Sequence, residues 1–212
     1  MADGETAALT AIDELRTLLE EIEDLEDVAS HLELRGKVGM VQAKLAGLLN
    51  AQSLSLGLGG ASNRLREYLR FHVHEPVDAD RLAGVAGIQD FQRRIRELRE
   101  GGWDIEHVQS LGRRGGYMLR ASEPDPDRGA SWILARRVRD ESGPPKRRIL
   151  EFLARLGPGT AGTEELVYAA GDPNAAMMIG ELVAEGSVEV LPDGHGGSLY
   201  RLTVGPRGEV RG

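Results

Sequence analysis

Two stretches of this chain repeat each other at a nearly constant separation. The first begins at Arg64 with RLREYLRFHV, and the second begins at Arg148 with RILEFLARLG. Apolar and glycine positions recur at offsets of 83–85 residues, and the matched pairs are Leu65 and Ile149, Leu82 and Leu166, Gly87 and Gly171, Leu98 and Val183, Gly101 and Gly186, and Tyr117 and Tyr200. Such steady offsets are typical of a duplicated fold. The sequence therefore predicts two consecutive copies of one small domain.

The first copy has the pattern of a helix, a short strand, a second helix, a turn, a third helix and a β-hairpin. The third helix, predicted over about residues 89–100, is the best defined, because apolar residues at i, i+4 and i+7 give it one buried face: Phe91, Ile95 and Leu98. Two glycines at 101–102 end this helix, and alternating residues predict the hairpin that follows. This order is that of a winged helix. The second copy repeats it, with helices predicted near residues 146–156, 163–170 and 174–185 and a hairpin at 187–203.

We therefore predict a mainly α chain with small β-hairpins, an α+β fold in which N-terminal amphipathic or coiled-coil helices precede two winged-helix domains. Prolines at 124 and 126 predict extended backbone over residues 123–127. The predicted domains are residues 1–52 (N-terminal helical segment), 53–61 (linker), 62–121 (winged helix 1, called copy one), 122–145 (linker with a short helix at 131–141), 146–204 (winged helix 2, called copy two) and 205–212 (flexible tail).

The N-terminal segment carries a hydrophobic stripe at helical spacing. Residues 6–34 are predicted as one amphipathic helix, and a second apolar pattern continues to about Asn50. Gly36 and Gly39 leave open whether this is a bent continuation or a helical hairpin. Self-association or docking on a protein partner is one interpretation of the stripe, and packing within its own domain is the other. The candidate oligomerisation residues are Ile12, Leu15, Leu19, Ile22, Leu25 and Leu32.

The charge of the chain is unevenly distributed. The formal net charge is −8, but residues 1–60 hold 11 acidic and 4 basic side chains, whereas residues 61–121 hold 11 arginines and 9 acidic side chains. Phosphate attraction depends on a local basic face, so the acidic total does not exclude nucleic acid. The absence of cysteine excludes disulfides and thiolate metal sites. Without a signal pattern or a long apolar run, we expect a cytoplasmic protein with no membrane partner.

Copy one carries the candidate contacts to double-stranded DNA. In a helix-turn-helix, early residues of the third helix enter the major groove, where arginine pairs with guanine and glutamine with adenine. The candidates are Gln89, Gln92, Arg93 and Arg96, flanked by Arg94 and Arg99, with Arg113 and Arg114 at the wing and Arg64, Arg66 and Arg70 on the first helix. The alternative is a solvated charged helix, in which Glu97 and Glu100 pair with Arg93 and Arg96.

Copy two lacks this chemistry. Its third helix has no arginine or lysine, so we interpret copy two as a protein-contact or dimerisation unit. An auxiliary basic patch precedes it, made of Arg136, Arg137, Arg139, Lys146, Arg147 and Arg148.

No catalytic group, metal site or cofactor site is predicted. The five histidines are scattered, and the pair His72 and His74, even with Asp78 and Asp80 nearby, lacks a third ligand at helix-compatible spacing. The glycines at 57–60 lack the lysine and hydroxyl residue of a phosphate-binding loop. We therefore expect a protein that is not an enzyme.

The stretch FQRRIRELREGGW at 91–103, with residues 82–87 before it, resembles winged-helix modules fused to bacterial restriction endonucleases of the HNH class. WILA at 132–135, RIL at 148–150 and ELVY at 165–168 resemble a second piece of such modules, so the resemblance covers about residues 62–202. It implies DNA binding beside a nuclease, but this chain has no His, Asn, His arrangement of the HNH site.

Two functional hypotheses remain. The first is a non-enzymatic DNA-binding protein, either a transcriptional regulator or a specificity subunit of a restriction or phage-defence system, that reads duplex DNA with helix 89–100 and wing 110–116. The alternative is a winged-helix adaptor that binds proteins, such as a partner of a chromosome-organising ATPase. The acidic total charge and the arginine-free helix of copy two favour the adaptor. A minimal nuclease has no support in the residues.

Overall fold

The computed structural model describes residues 2–20, 27–109, 111, 115–141, 143–193 and 197–203. These residues are mainly helical with small antiparallel hairpins, so the predicted α+β class is confirmed. No helix within these ranges has the length and apolar content needed to cross a membrane. The predicted tail and four predicted contact residues lie outside the described residues: Ile22, Leu25, Arg113 and Arg114.

Contacts between residues divide the chain into two compact units. Unit one comprises residues 1–72, 76–94 and 108–117, and unit two comprises residues 73–75, 95–107 and 118–212. The division falls inside the third helix and the hairpin of copy one. Unit two therefore contains the end of that helix, the predicted linker and all of copy two.

The N-terminal segment forms two helices, α1 (Ala2–Glu20) and α2 (Val28–Ser55), that pack against each other. The prediction of one helix over residues 6–34 is therefore wrong. The segment is a helical hairpin, but its turn is not at Gly36 or Gly39, because α2 continues as one helix past both glycines. The break comes earlier because Asp27 caps α2 and accepts a hydrogen bond from the Ser30 N–H at 2.9 Å. This bond also lowers the pKa of Asp27 from its ordinary value.

The hairpin buries only a narrow stripe of small and apolar side chains. Among its described residues, Ala11, Leu34 and Val41 are buried. An ion pair of 3.1 Å joins Lys44 to Glu14 across the two helices. The predicted linker is shorter than expected, because α2 continues to Ser55 and the next helix begins at Ala61.

Copy one has the predicted order of elements: α3 (Ala61–Phe71), β1 (Val77–Asp78), α4 (Ala79–Ala86), α5 (Phe91–Glu100), β2 (Ile105–Val108) and β3 (Gly116–Leu119). The strands form one sheet in the order β1-β3-β2, and β1 runs antiparallel to β3 with Val77 opposite Tyr117. Asp78 caps α4 by accepting from the Asp80 N–H at 2.7 Å. Gly87 ends α4 with a φ of 66°, a conformation that glycine adopts without strain.

The segment predicted as a linker contains a long helix, α6 (Pro126–Asp140), that begins five residues earlier than the sequence indicates. The prediction of extended backbone through residue 127 is wrong at its end, because proline is compatible with the first turn of a helix. Asp125 caps this turn by accepting from the Asp127 N–H at 2.9 Å. Trp132, Ala135 and Val138 of α6 are buried, so this helix is part of the fold of unit two.

Copy two has the same order: α7 (Pro145–Leu156), β4 (Ala161–Gly162), α8 (Thr163–Ala170), α9 (Ala175–Ala184), β5 (Val188–Pro192) and β6 (Ser198–Leu202). Its strand order is β4-β6-β5, which matches that of copy one. The core of unit two joins α6 to α7, α8, α9 and β5, and its largest fully buried side chain is Phe152. The three helices and the hairpin agree with the predicted ranges to within about two residues.

Candidate nucleic-acid interface

Helix α5 separates its apolar and basic residues onto two faces. Phe91, Ile95 and Leu98 are 0%, 1% and 8% exposed, so the apolar face is buried as predicted. Phe91 also packs edge-on against Tyr117 with ring centroids 5.9 Å apart. These contacts fix which side of α5 faces outward.

The outward face presents the predicted glutamine and arginine side chains. Gln92 and Arg93 are exposed, and Arg94 and Arg96 are half-buried. Gln89 is exposed in the turn before α5, because the helix begins at Phe91 rather than at residue 89. Within the described residues Arg96 has no ion pair, whereas Arg93 and Arg94 each have interaction partners in the chain.

Arg99 is placed differently from the other arginines of α5. It is only 7% exposed, and its guanidinium pairs with Glu164 of α8. Its Nε donates to the Ile105 carbonyl oxygen at 2.8 Å, and its Cζ lies 4.8 Å from the centre of the Trp132 ring. A guanidinium held in this way is not available to a phosphate or a base.

Arg64 also has an intramolecular role. Its Nε donates to the Val85 carbonyl at 3.0 Å and its Nη2 to the Ala86 carbonyl at 2.5 Å, where α4 ends. The matched residue of copy two, Arg148, donates in the same way to the Ala170 carbonyl at the end of α8. These arginines satisfy carbonyls that a helix end leaves without partners. The Arg64 guanidinium is therefore also engaged inside the protein.

The other two candidates on α3 lie near the surface. Arg66 pairs with Glu67 at 2.9 Å and Arg70 pairs with the same carboxylate at 3.4 Å. Their side chains are 36% and 41% exposed, and exposed pairs of this kind are weak and easily exchanged. Both residues stay candidate phosphate contacts.

Helix α9 of copy two carries no basic residue at the position matched to α5. Met177 is 61% exposed and Asn174 is exposed. Glu181 and Glu185 are paired with Lys146 at 3.2 and 2.6 Å, and the hydrogen bond to Glu185 raises the pKa of Lys146. The other members of the predicted auxiliary patch are partly engaged as well: Arg136 pairs with Glu100 at 2.6 Å, and Arg139 lies over the Tyr168 ring, while Arg137 and Arg147 are exposed.

The predicted oligomerisation stripe of α1 is largely open to solvent. Ile12 and Leu19 are 52% and 50% exposed, and Leu32 of α2 is 60% exposed. Leu15 is half-buried. Self-association through this stripe stays a prediction.

Sequence reasoning missed Glu164 and Trp132, which hold the end of α5. Glu164 is 65 residues from its partner Arg99, and no local pattern marks such a pair. The histidine pair at 72 and 74 gains no ligands, since the described part of the chain contains no group of three His, Asp or Glu residues that could hold a metal ion. The His72 ring instead packs against the Tyr68 ring at a tilt of 46°, with ring centroids 4.7 Å apart.

Comparison with protein families gives a match in copy one. Residues 62–120 match the family described as the KpnI N-terminal domain, which is related to restriction enzymes. No curated protein and no solved structure is significantly similar to the chain. The match indicates a link to restriction systems for the segment that contains α5.

Proposed function

We propose that this chain is a non-enzymatic DNA-binding protein associated with a restriction system, and that copy one is a winged helix that reads duplex DNA. The observation that carries the proposal is the division of α5 into two faces. Phe91, Ile95 and Leu98 are buried, and the other side presents Gln92, Arg93 and Arg96. The restriction-related family match over residues 62–120 supports DNA as the ligand of the same segment.

The exposed side chains of α5 suit the major groove. Arginine donates two hydrogen bonds to guanine O6 and N7, and glutamine pairs with adenine N6 and N7. Gln89, at the turn before the helix, and Gln92 lie at the end that enters the groove in winged helices. Arg93 and Arg96 follow within the next two turns. We assign these four residues to bases or nearby phosphates, with Arg94 on the flank.

Phosphate contacts surround this face in the proposed complex. Arg66 and Arg70 are partly exposed on α3, and their weak pairs with Glu67 would exchange for phosphate oxygens. Arg113 and Arg114 are assigned to the wing from the sequence. Such a protein would act in the cytoplasm as a regulator or as a specificity subunit beside a separately encoded nuclease.

Binding should depend strongly on salt, and a titration tests the proposal directly. If three to five arginines neutralise phosphates, the logarithm of the association constant should fall with the logarithm of salt concentration with a slope of about −3 to −5. The measurement is fluorescence anisotropy of a labelled random-sequence duplex between about 50 and 200 mM salt. No saturable binding at the lowest salt concentration would contradict the proposal.

The second candidate function is a protein-binding adaptor. Helix α9 favours it, because the helix exposes Met177 and carries no basic residue at the position matched to α5. An adaptor would give a stoichiometric complex with a protein partner and no saturable duplex binding in the same titration.

A further inference from the structure

The end of α5 is held by residues that lie far from it in the sequence. The guanidinium of Arg99 contacts the Ile105 carbonyl, the Trp132 ring and the carboxylate of Glu164. These partners belong to β2, α6 and α8. The last turn of α5 is therefore tied to three different elements of unit two.

Glu164 uses both carboxylate oxygens in this arrangement. Oε2 pairs with Arg99, and Oε1 accepts a hydrogen bond of 2.8 Å from the backbone N–H of His107 in β2. Glu164 itself lies in the first turn of α8, where the helix dipole stabilises a negative charge. One side chain of copy two thus fixes a helix and a strand of copy one.

The backbone around the Arg99–Glu164 ion pair is closely packed. Asp125 N–H donates to the Gly102 carbonyl at 2.9 Å, directly after α5. A Cβ atom on Gly129 of α6 would lie 2.9 Å from the Glu100 carbonyl oxygen, so only glycine permits this approach. Arg136 of α6 adds an ion pair of 2.6 Å with Glu100. Together with the Arg99–Glu164 pair, these contacts limit the rotation of the end of α5.

We propose that Glu164 is a positioning residue for DNA reading: through Arg99 it holds the last turn of α5 and so refines the rotation that the buried face of the helix sets coarsely. This inference rests on the proposed function. Arg96 lies one turn before Arg99, so a rotation at Arg99 is carried along the helix to the groups that meet the bases. Copy two has no arginine on its own third helix, α9. Its contribution to DNA recognition is to hold α5 of copy one in position.

Substitution of Glu164 should weaken DNA binding without removing any contact to DNA. In Glu164→Gln the amide oxygen still accepts from the His107 N–H, but the charge that holds Arg99 is gone. We expect its dissociation constant, for a duplex that the wild type selects from a random-sequence pool, to rise about 3- to 30-fold, as for residues that act through a coupled network. Amide hydrogen exchange over residues 95–100 should also become faster, and this readout needs no DNA.

Two further variants separate positioning from stability. Ile149→Val removes a methylene group from the core of unit two and should bind DNA within about 2-fold of wild type, despite lower stability.

The double variant Arg99→Leu with Glu164→Gln leaves no buried unpaired charge. Its stability should therefore partly recover relative to Glu164→Gln, while its DNA binding stays weak. All are measured at a temperature where every variant is folded.

The outcomes are distinct. The positioning role would be excluded if Glu164→Gln bound DNA with wild-type affinity. It would also be excluded if the double variant recovered its affinity together with its stability. Either result would leave the DNA-binding proposal intact. Weak binding by both, with normal binding by Ile149→Val, would support positioning. A wild-type chain that binds no duplex would overturn both proposals.

Discussion

Replacing Arg93 and Arg96 together by alanine is expected to weaken duplex binding roughly 30-fold to 20,000-fold. Each arginine that pairs with a base contributes about 1–3 kcal/mol, and 1.4 kcal/mol corresponds to a factor of ten. Both side chains project from the face opposite the buried Phe91 and Ile95, so their truncation should leave the core unchanged. Anisotropy titrations of wild type and variant at one salt concentration, with a duplex that the wild type selects from a random-sequence pool, give the ratio. Urea unfolding shows whether the stability is the same.

A matched control removes the same charge elsewhere. Arg137 of α6 and Arg147 of α7 are both exposed, and the double variant Arg137→Ala with Arg147→Ala also loses two positive charges. Because these residues are not on α5, we expect its affinity to fall by less than about 3-fold, which is the size of a non-specific electrostatic effect. Equal losses in the two double variants would mean that only net charge matters and that α5 does not read DNA.

Phe152→Ala is expected to have the largest effect on stability, a loss of about 3–5 kcal/mol in the free energy of unfolding. Phe152 is fully buried in the core that joins α6 to copy two, so truncation removes apolar contacts and leaves a cavity. Urea unfolding followed by circular dichroism measures the loss.

Phe71 provides the matched control for this substitution. It is 83% exposed at the end of α3, so Phe71→Ala removes the same atoms from solvent rather than from a core. Its unfolding free energy should change by less than about 0.5 kcal/mol. A small loss in Phe152→Ala, comparable with that in Phe71→Ala, would mean that this core contributes little to stability.

The sequence predicted the elements of both copies well because each signal acts locally. Helices α4 and α8 end at Gly87 and Gly171, which adopt the left-handed conformation, with φ values of 66° and 61°. The buried face of α5 followed from helical spacing alone. The repeat added independent support, since each copy predicted the other.

The errors arose where local signals conflict. Proline at 126 suggested a break, but proline fits the first turn of a helix, and the Asp125 cap allows α6 to begin there. In the N-terminal segment the apolar stripe continues past Asp27, which caps a new helix. A prediction made from the stripe alone therefore merged two helices into one.

The roles of individual arginines were the least predictable feature. Arg99 has the same local pattern as Arg96, but its partner Glu164 is 65 residues away, so only the folded chain separates them. The structural role of Arg64 could have been predicted from the repeat. Its matched residue in copy two is also an arginine, Arg148, although the third helix of copy two carries no basic residue. An arginine retained in both copies indicates a structural role shared by both.

Site-specific photo-crosslinking at Gln92 tests the central claim, that the outward face of α5 meets duplex DNA. A benzophenone amino acid is placed at position 92 in one variant and at position 177 in another, since Met177 is an exposed residue early in α9, the helix matched to α5. Irradiation in the presence of a labelled duplex should give a crosslink from position 92 and none from position 177. Crosslinking from position 177 alone, or equally from both, would contradict the account.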